Sequence, residues 1–224
     1  MSTSLPSQNE TTKGRRSQRR IYDIIKHRIV NCEIPPGQAL YEDHFAEEFG
    51  TSRTPVREAL LKLRNDGLVS ILPRKGTFIS QITVQSVYEI YQLRRLLEPG
   101  IGTEVKDHVD PDRLAEFRTL FERIPFEQEL LQDWFRFDRE FHTYLVECTG
   151  NGMLLMLYEY IMNHQQRVSI LAAKQPQRLQ ETAREHAAII DALLEKDDAR
   201  ITSAILAHIR ASWDASLRVE RIYR

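Results

Sequence analysis

Four residues in the C-terminal half of the chain are of the types that bind divalent metal ions. Asp138 and His142 are four residues apart, and on a helix this spacing places both side chains on one face, about 40° apart. His186 and His208 follow in two further segments with helical periodicity. One carboxylate and three imidazoles suit Zn, Ni, Mn or Fe(II), and inward positions of a helical bundle hold such sites. The alternative for each histidine is a hydrogen-bonded core residue.

A second group, around residue 50, has the chemistry of a nucleic-acid contact. Apolar residues recur at helical spacing from 56 to 63, which predicts a helix over about 52–66. The polar and cationic residues at its start lie off that stripe: Ser52, Arg53, Thr54 and Arg57. Such side chains, at the N-terminus of a recognition helix, reach base edges in the major groove. The alternative for each arginine is a solvated surface charge.

A basic turn follows the predicted recognition helix. Residues 68–72 and 77–80 have the composition of two short strands, and the turn between them contains Arg74, Lys75 and Gly76. A hairpin with this tip can approach phosphates or a minor groove. With predicted helices over about 17–30 and 42–49, the segment 18–80 is therefore interpreted as a winged helix-turn-helix. Residues 1–17 lack apolar periodicity and are predicted to form a flexible arm.

The rest of the chain, 81–224, is predicted to be an all-α domain. Helical periodicity extends over six stretches, and prolines, glycines and capping residues separate them. The predicted helices are 83–106, 111–123, 126–148, 152–173, 176–195 and 197–221. The fold class is therefore mainly α, with three helices and a small β-hairpin wing before a six-helix bundle.

Composition narrows the class of protein further. The chain has 224 residues, of which 42% are hydrophobic and 28% charged, as in ordinary globular proteins. Residues 1–80 contain 13 Lys and Arg against 9 Asp and Glu, a net charge of +4, whereas the remainder carries 18 against 23, or −5. Two cysteines without disulfide or metal spacing, and no long apolar segment, lead us to expect a cytoplasmic protein without a membrane association.

Three motifs in the N-terminal segment resemble those of the GntR family of winged-helix regulators. They are S-R-T-P-V-R-E-A-L at 52–60, D-G-L-V at 66–69 and R-K-G-T-F-I at 74–79. I-P-P-G at 34–37 and A-E-E-F-G at 46–50 fit the same family. The resemblance implies a homodimer on a short palindromic operator, with Arg53, Thr54 and Arg57 contacting DNA from the recognition helix and Gly76 from the wing.

The C-terminal segment resembles the FCD type of effector domain, in the FadR-type subfamily and its shorter, six-helix VanR-like group. The motifs are L-R-R-L-L-E-P at 93–99, F-D-R-E-F-H at 137–142, E-H-A-A-I-I-D-A-L at 185–193 and A-I-L-A-H-I at 204–209. This resemblance implies that a divalent metal, with zinc first among the candidates, is bound by Asp138, His142, His186 and His208. It also implies that a small carboxylate effector completes the coordination.

Arg94 matches the arginine of the opening FCD motif, and a guanidinium can bind a carboxylate through two hydrogen bonds. Its alternative role is an inter-helix salt bridge. Gln166 and Arg167 are further candidates for effector binding. We expect a non-enzymatic regulator, and the family precedent favours a repressor of a carbon-catabolism operon. The alternatives are a regulator that senses the metal itself and a metal-dependent hydrolase or oxygenase fused to a DNA-binding head.

Overall fold

A computed structural model describes residues 8–123, 131–172 and 176–218 of the chain. The chain divides into two compact units, one ending at Gln81 and the other beginning at Ile82. The described part is mainly helical, with one small sheet in the first unit, which confirms the predicted fold class.

Three helices build the first unit: α1 (Gln8–Val30), α2 (Glu42–Glu48) and α3 (Arg53–Asn65). The apolar stripe of α1 packs against that of α3, and both are almost fully buried. Phe45 and Ala46 of α2 complete this core, and Phe49 packs against it while partly buried. The α3 residues that form the core are Val56, Ala59, Leu60 and Leu63.

The sheet of the first unit has three antiparallel strands in the order β1 (Ala39–Leu40), β3 (Gly76–Ile79) and β2 (Val69–Leu72). Strands β2 and β3 form the predicted wing hairpin, with Val69 opposite Ile79 and Leu72 opposite Gly76. Arg74 and Gly76 have positive φ angles of 62° and 113°, so the tip is a tight turn that suits glycine at residue 76.

Two features of this unit differ from the sequence-based expectation. Helix α1 begins at Gln8 rather than near Ser17, so part of the predicted flexible arm is helical. Glu, Lys, Arg and Gln in this stretch favour helix, and a helix need not have an apolar face along its whole length. Strand β1 was not predicted, because two residues carry no periodicity and their pairing partner, β3, lies far away in sequence.

The second unit consists, in its described part, of the six predicted helices. They are α4 (Val84–Val105), α5 (Pro111–Glu122), α6 (Leu131–Glu147), α7 (Gly152–Ala172), α8 (Pro176–Glu195) and α9 (Asp198–Ser216). The predicted start of α6 at 126 and the predicted end of α9 at 221 lie outside the described residues. Where the breaks are described, side-chain caps mark them: Thr83 caps α4, Asp110 caps α5 and Asp197 caps α9.

The core of this unit contains polar side chains among its apolar ones. Helix α9 packs along both α4 and α8, and α6 packs against α5 and α7. Buried charged or imidazole side chains come from five of these helices: Arg94 and Glu98 of α4, His142 of α6, Arg167 of α7, His186 of α8 and His208 of α9. The fold therefore brings together residues that are up to 114 positions apart in sequence.

Close packing of α4 against α9 depends on a glycine. A Cβ atom at Gly102 would lie 2.5 Å from Ile205 Cδ1 and 2.8 Å from Ile201 Cγ2, whereas nothing lies within 4 Å of one at Gly100. Overpacking of this kind costs about 1 to 3 kcal/mol, and alanine in a helix regains about 1 kcal/mol over glycine.

We therefore expect Gly102→Ala to be less stable than Gly100→Ala by about 1 to 3 kcal/mol. Gly100→Ala serves as the matched control, because it makes the same change two residues away, on the exposed side of the same helix. Urea unfolding followed by circular dichroism measures both variants. Equal stability of the two would show that α4 and α9 are not packed as closely as described.

Candidate functional site

Three histidines meet in the core of the second unit. His142, His186 and His208 come from three different helices and are 4%, 0% and 2% exposed. One nitrogen from each ring can be chosen so that all three lie within 4.8 Å of one another. His142 Nε2 and His186 Nε2 are 3.2 Å apart. We call these three side chains the histidine cluster.

Asp138 lies beside the cluster, one helical turn before His142. Its Oδ1 atom is 3.3 Å from His186 Nε2, and its side chain is 15% exposed. The structure therefore brings together the four residues that the sequence suggested as metal ligands. The spacing of Asp138 and His142 places both on the inner face of α6, as predicted.

Two glutamates that sequence reasoning missed contact the histidines from outside the cluster. His208 Nδ1 is 2.8 Å from Glu185 Oε2, and Arg178 donates to both oxygens of Glu185, at 2.6 and 2.9 Å. Glu98 Oε2 lies 3.8 Å from His142 Nδ1. Since an ionised carboxylate only accepts hydrogen bonds, His208 donates to Glu185 from Nδ1, which fixes the orientation of its ring.

Burial controls the protonation of this region. It lowers the pKa of His142 to about 3 and the pKa of His186 well below its usual value, so both rings are neutral near pH 7. Burial also raises the pKa of Asp138, to about 6. Although burial opposes ionisation of Glu98, the charge of Arg94, its hydrogen bond and the neighbouring histidines together outweigh burial and lower the pKa of Glu98 to about 2.

Arg94 is held inside α4. It is 1% exposed, and its Nε and Nη2 atoms contact the two carboxylate oxygens of Glu98 at 2.5 and 3.3 Å. Tyr158 donates to the same carboxylate at 2.9 Å, and Arg94 Nη2 lies 3.3 Å from His208 Nε2. The salt bridge considered for Arg94 thus exists, but within one helix rather than between two. The i, i+4 spacing of Arg94 and Glu98 was the signal that could have revealed it.

A small cavity adjoins the histidine cluster. Asp138, Arg94 and His208 are among its lining residues, and its volume is about 40 Å³. Gln165 of α7 lines this cavity, whereas the suggested effector residues Gln166 and Arg167 are not among its lining residues. Successive residues of a helix point about 100° apart, so neighbouring positions face different surroundings. Gln166 and Arg167 are buried elsewhere on α7.

The first unit presents the suggested DNA-contacting residues on its surface. Ser52 is the N-cap residue of α3, and Arg53, Thr54 and Arg57 lie in its first two turns; all four are exposed. At the wing tip, Arg74, Lys75 and Gly76 are exposed as well. The apolar face of α3 is buried, so its first turns offer solvent a polar, cationic surface.

Two acidic residues of α2 hold the arginines of this surface. Arg57 contacts Glu42 through Nε and Nη2, at 2.9 Å each, and Arg53 forms an ion pair with Asp43. Glu42 therefore contacts the Nε side of the Arg57 guanidinium. It does not contact the guanidinium along its Nη1–Nη2 edge. Sequence reasoning missed both acids, because their partners lie across the helix-turn-helix.

Comparisons with known proteins agree with both halves of this description. The pattern described as "Bacterial regulatory proteins, gntR family" matches residues 17–79, and the FCD domain pattern matches residues 89–211. An uncharacterised HTH-type transcriptional regulator of Streptomyces ambofaciens is 31% identical over 94% of this chain and 88% of its own. The HTH-type transcriptional repressor RspR of Escherichia coli K12 is 27% identical over 85% of this chain and 84% of its own.

Two solved structures show the same fold. Escherichia coli McbR/YncC superposes with a TM-score of 0.75 and 21% identity, covering 90% of this chain and 97% of its own. A putative GntR transcriptional regulator from Rhodococcus sp. RHA1 superposes with a TM-score of 0.77 and 23% identity, covering 92% of this chain and 99% of its own. In the described part of this chain, no helix is long and apolar enough to cross a membrane.

The buried imidazoles predict how the stability of the chelator-treated protein depends on pH. Between pH 6.5 and about 3, His142 is protonated in the unfolded chain and neutral in the folded chain, so acid favours unfolding. In that range each such histidine lowers the free energy of unfolding by up to about 1.4 kcal/mol for every pH unit of acidification. Asp138 acts in the opposite sense between pH 3.8 and about 6, because its pKa is higher in the folded state. The combined effect of His142 and His186 on the pH dependence of stability is therefore larger than the opposite effect of Asp138.

We expect urea unfolding to show falling stability as the pH decreases below 6.5, with a shallower dependence in His142→Gln and a steeper one in Asp138→Asn. His108→Gln, which replaces an exposed histidine of the same unit, is the control and should follow the wild type. If His142→Gln showed the same pH dependence as the wild type, residue 142 would not be a neutral, buried imidazole.

Proposed function

Because the chain belongs to the GntR family of bacterial transcription regulators, in the FadR-type group with an FCD domain, we propose that it is a ligand-responsive repressor. It binds a palindromic operator as a homodimer, and a small organic acid bound at a metal site of the FCD domain releases it. The observation that carries the DNA-binding part is the exposed start of α3, where Arg53, Thr54 and Arg57 project from a helix whose opposite face is buried.

Arg57 is the side chain best prepared to read a base. The carboxylate of Glu42 holds its Nε edge, so the guanidinium has a preferred orientation before DNA arrives. Arginine recognises guanine through two parallel hydrogen bonds, for which the Nη1–Nη2 edge is suitable. Arg74 and Lys75 at the wing tip supply charge for phosphate contacts, which strengthen binding without selecting a sequence.

The donor set of the second unit fits a divalent metal. Two nitrogens bound to one zinc ion at about 2.0 to 2.1 Å, at a tetrahedral angle, lie about 3.3 Å apart. His142 Nε2 and His186 Nε2 are separated by 3.2 Å. Neutral imidazoles offer lone pairs, and the contact of His208 with Glu185 is the carboxylate support that metal-binding histidines usually have. His142, His186, His208 and Asp138 would hold the ion, which would supply a positive centre for an effector carboxylate.

The regulator assignment is also the best account among the alternatives. The families and relatives matched by the chain are transcription regulators, which a metal-dependent enzyme fused to a DNA-binding head does not explain. The Escherichia coli relative RspR is named a transcriptional repressor, which supports repression as the sense of regulation. A regulator that senses the metal itself differs in one measurable respect, since metal alone would then change operator affinity.

The DNA-binding part is tested by selecting duplexes from a random pool with the full-length protein and sequencing the bound fraction. We expect a palindromic consensus. For the selected duplex, Arg57→Ala should lower affinity by about 5- to 150-fold and relax the preference at one position of each half-site. Arg64→Ala is the control, because it removes the same charge from an exposed position at the other end of α3.

Equal effects of Arg57→Ala and Arg64→Ala would contradict a base-reading role for the start of α3. The same titration, repeated with chelator-treated protein, with metal returned and with small carboxylates added, tests the response. Release that requires both metal and carboxylate supports the proposal, whereas release by metal alone supports the metal sensor. No release under any of these conditions contradicts a ligand-responsive repressor.

A further inference from the structure

A groove between α4 and α9 of the second unit is large enough to hold a small molecule. Its volume is about 480 Å³, within the range of about 300 to 1,000 Å³ that is usual for ligand sites. Four residues of each helix line it, at the spacing i, i+3, i+4 and i+7, beginning at Tyr88 on α4 and at Leu206 on α9. This spacing places each set of four on one helical face. Among the described residues, Tyr91 alone lines both this groove and the small cavity beside the histidine cluster.

Three of the side chains that line the groove are aromatic. The Trp213 ring meets Tyr88 and Tyr91 edge to face, with ring centroids 6.0 and 5.4 Å apart and an interplanar angle of 71° in both pairs. Tyr88 remains 49% exposed, Leu206 is 36% exposed, and Trp213 is only partly buried. The groove therefore presents aromatic and aliphatic surface to solvent. An aromatic ligand gains free energy there both from burial and from ring contacts.

The charged side chains that line the groove are all positive. Arg95 comes from α4 and Arg210 from α9, and both are exposed. In the described part of the chain, neither guanidinium has an ion pair or a hydrogen bond, and no aspartate or glutamate lines the groove. Arg94 and Arg178 of the same unit, by contrast, are each paired with a carboxylate. Two unpaired guanidinium groups in a groove without an acid favour an anionic ligand.

Charge also argues against a second copy of the chain as the occupant. A two-fold interface brings the same patch of both copies together, so four arginines would meet in a groove whose lining contains no acid. Like charges placed together weaken association. An aliphatic acid would pair with the arginines but make no ring contacts, and a neutral aromatic compound would leave the arginines unpaired. A ligand with an aromatic ring joined to an anionic group satisfies both features.

We propose that the groove between α4 and α9 is a second ligand site for an aromatic acid, whose ring packs against the three aromatic side chains and whose carboxylate pairs with Arg95 and Arg210. The site goes beyond the proposed function, because it needs neither the metal ion nor the effector bound there. A ligand in the groove contacts the two helices that carry Arg94 and His208, and it also contacts Tyr91. It is therefore placed to influence the histidine cluster from outside.

The test compares three ligands of similar size on the zinc-loaded, full-length protein. The compound 2-naphthoate has both the aromatic ring and the charge, 2-naphthamide has the ring without the charge, and decahydro-2-naphthoate has the charge without the aromatic ring. Each is titrated by calorimetry, and the melting temperature is recorded in parallel, because a ligand of the native state raises it. We expect 2-naphthoate to bind at least about fivefold more tightly than either of the others.

Two variants, each with a matched control, locate the ligand in the groove. The double variant Arg95→Gln with Arg210→Gln should weaken 2-naphthoate binding by about five- to thirtyfold. Arg184→Gln, at an exposed position of α8 outside the lining, should not. Tyr88→Ser should weaken binding by about two- to tenfold, whereas Tyr160→Ser, which removes an exposed tyrosine of α7 outside the lining, should not. All these positions are exposed, so the core remains intact in every variant.

The proposal is overturned if 2-naphthoate does not bind, if the three ligands bind equally, or if the double arginine variant binds 2-naphthoate as the wild type does. Sedimentation of the same variants tests the other occupant. If the double arginine variant or Tyr88→Ser changes the oligomeric state while the controls do not, the groove is a contact between copies of the chain, and the proposal is wrong. An unchanged oligomeric state together with weakened binding of 2-naphthoate supports the ligand site.

Discussion

The second unit depends on keeping the imidazoles of His142 and His186 uncharged, beside His208, inside a helical core. A protonated His142 would be a buried cation, and burial is the main cause that lowers its pKa to about 3. Nε2 of His142 and Nε2 of His186 approach to 3.2 Å, a distance that fits either one shared proton or one shared metal ion.

The surrounding charges compensate one another in pairs. Arg94 neutralises Glu98 inside α4, and Arg178 neutralises Glu185 at the surface of the cluster. Each glutamate also contacts or approaches a histidine, so each ion pair orients a ring as well as balancing charge. Removing one member of a buried ion pair leaves an uncompensated charge, which costs about 3 to 5 kcal/mol. The ion pairs and the cluster therefore form one connected polar core.

The two units use arginine in opposite ways. In the second unit Arg94 is buried and committed to one partner, which gives rigidity. In the first unit Arg53 and Arg57 are exposed and paired only with surface acids, and an exposed pair contributes little to stability. Such a pair can be exchanged for a DNA contact at low cost. A regulator needs both, a surface that binds reversibly and a core that responds to a bound ligand.

Local patterns in the sequence were enough to predict most of the architecture. Apolar periodicity gave the helices of the second unit, and turn residues gave the wing. Residue type and helical spacing suggested Asp138, His142, His186 and His208 as metal ligands, and the family resemblance supported the same four residues. The partners of these residues were not predicted. Glu185 adjoins His186 in sequence but contacts His208 on another helix, and that contact exists only after α8 and α9 pack.

Contacts that exist only after the helices pack also explain why the sequence did not point to Gln165 of α7, which lines the cavity beside the histidine cluster. Gln166 was suggested and Gln165 lines the cavity, a difference of one residue that depends on the rotation of α7 about its axis. Amphipathic patterning fixes such a rotation poorly where a helix is buried on several sides, as α7 is around residues 161 to 168. Glu42 and Asp43 were missed for a related reason, since a salt bridge across a turn leaves no periodic signal.

X-ray absorption spectroscopy of the zinc-loaded protein shows whether the histidine cluster binds a metal ion. We expect one equivalent of zinc with about three imidazole nitrogens at about 2.0 to 2.1 Å and a further oxygen ligand. His142→Ala should lose imidazole scattering, and His108→Ala, at an exposed position, should not. If zinc is surrounded by oxygen atoms alone, or if the spectrum of His142→Ala equals that of the wild type, the histidine cluster is not the metal site.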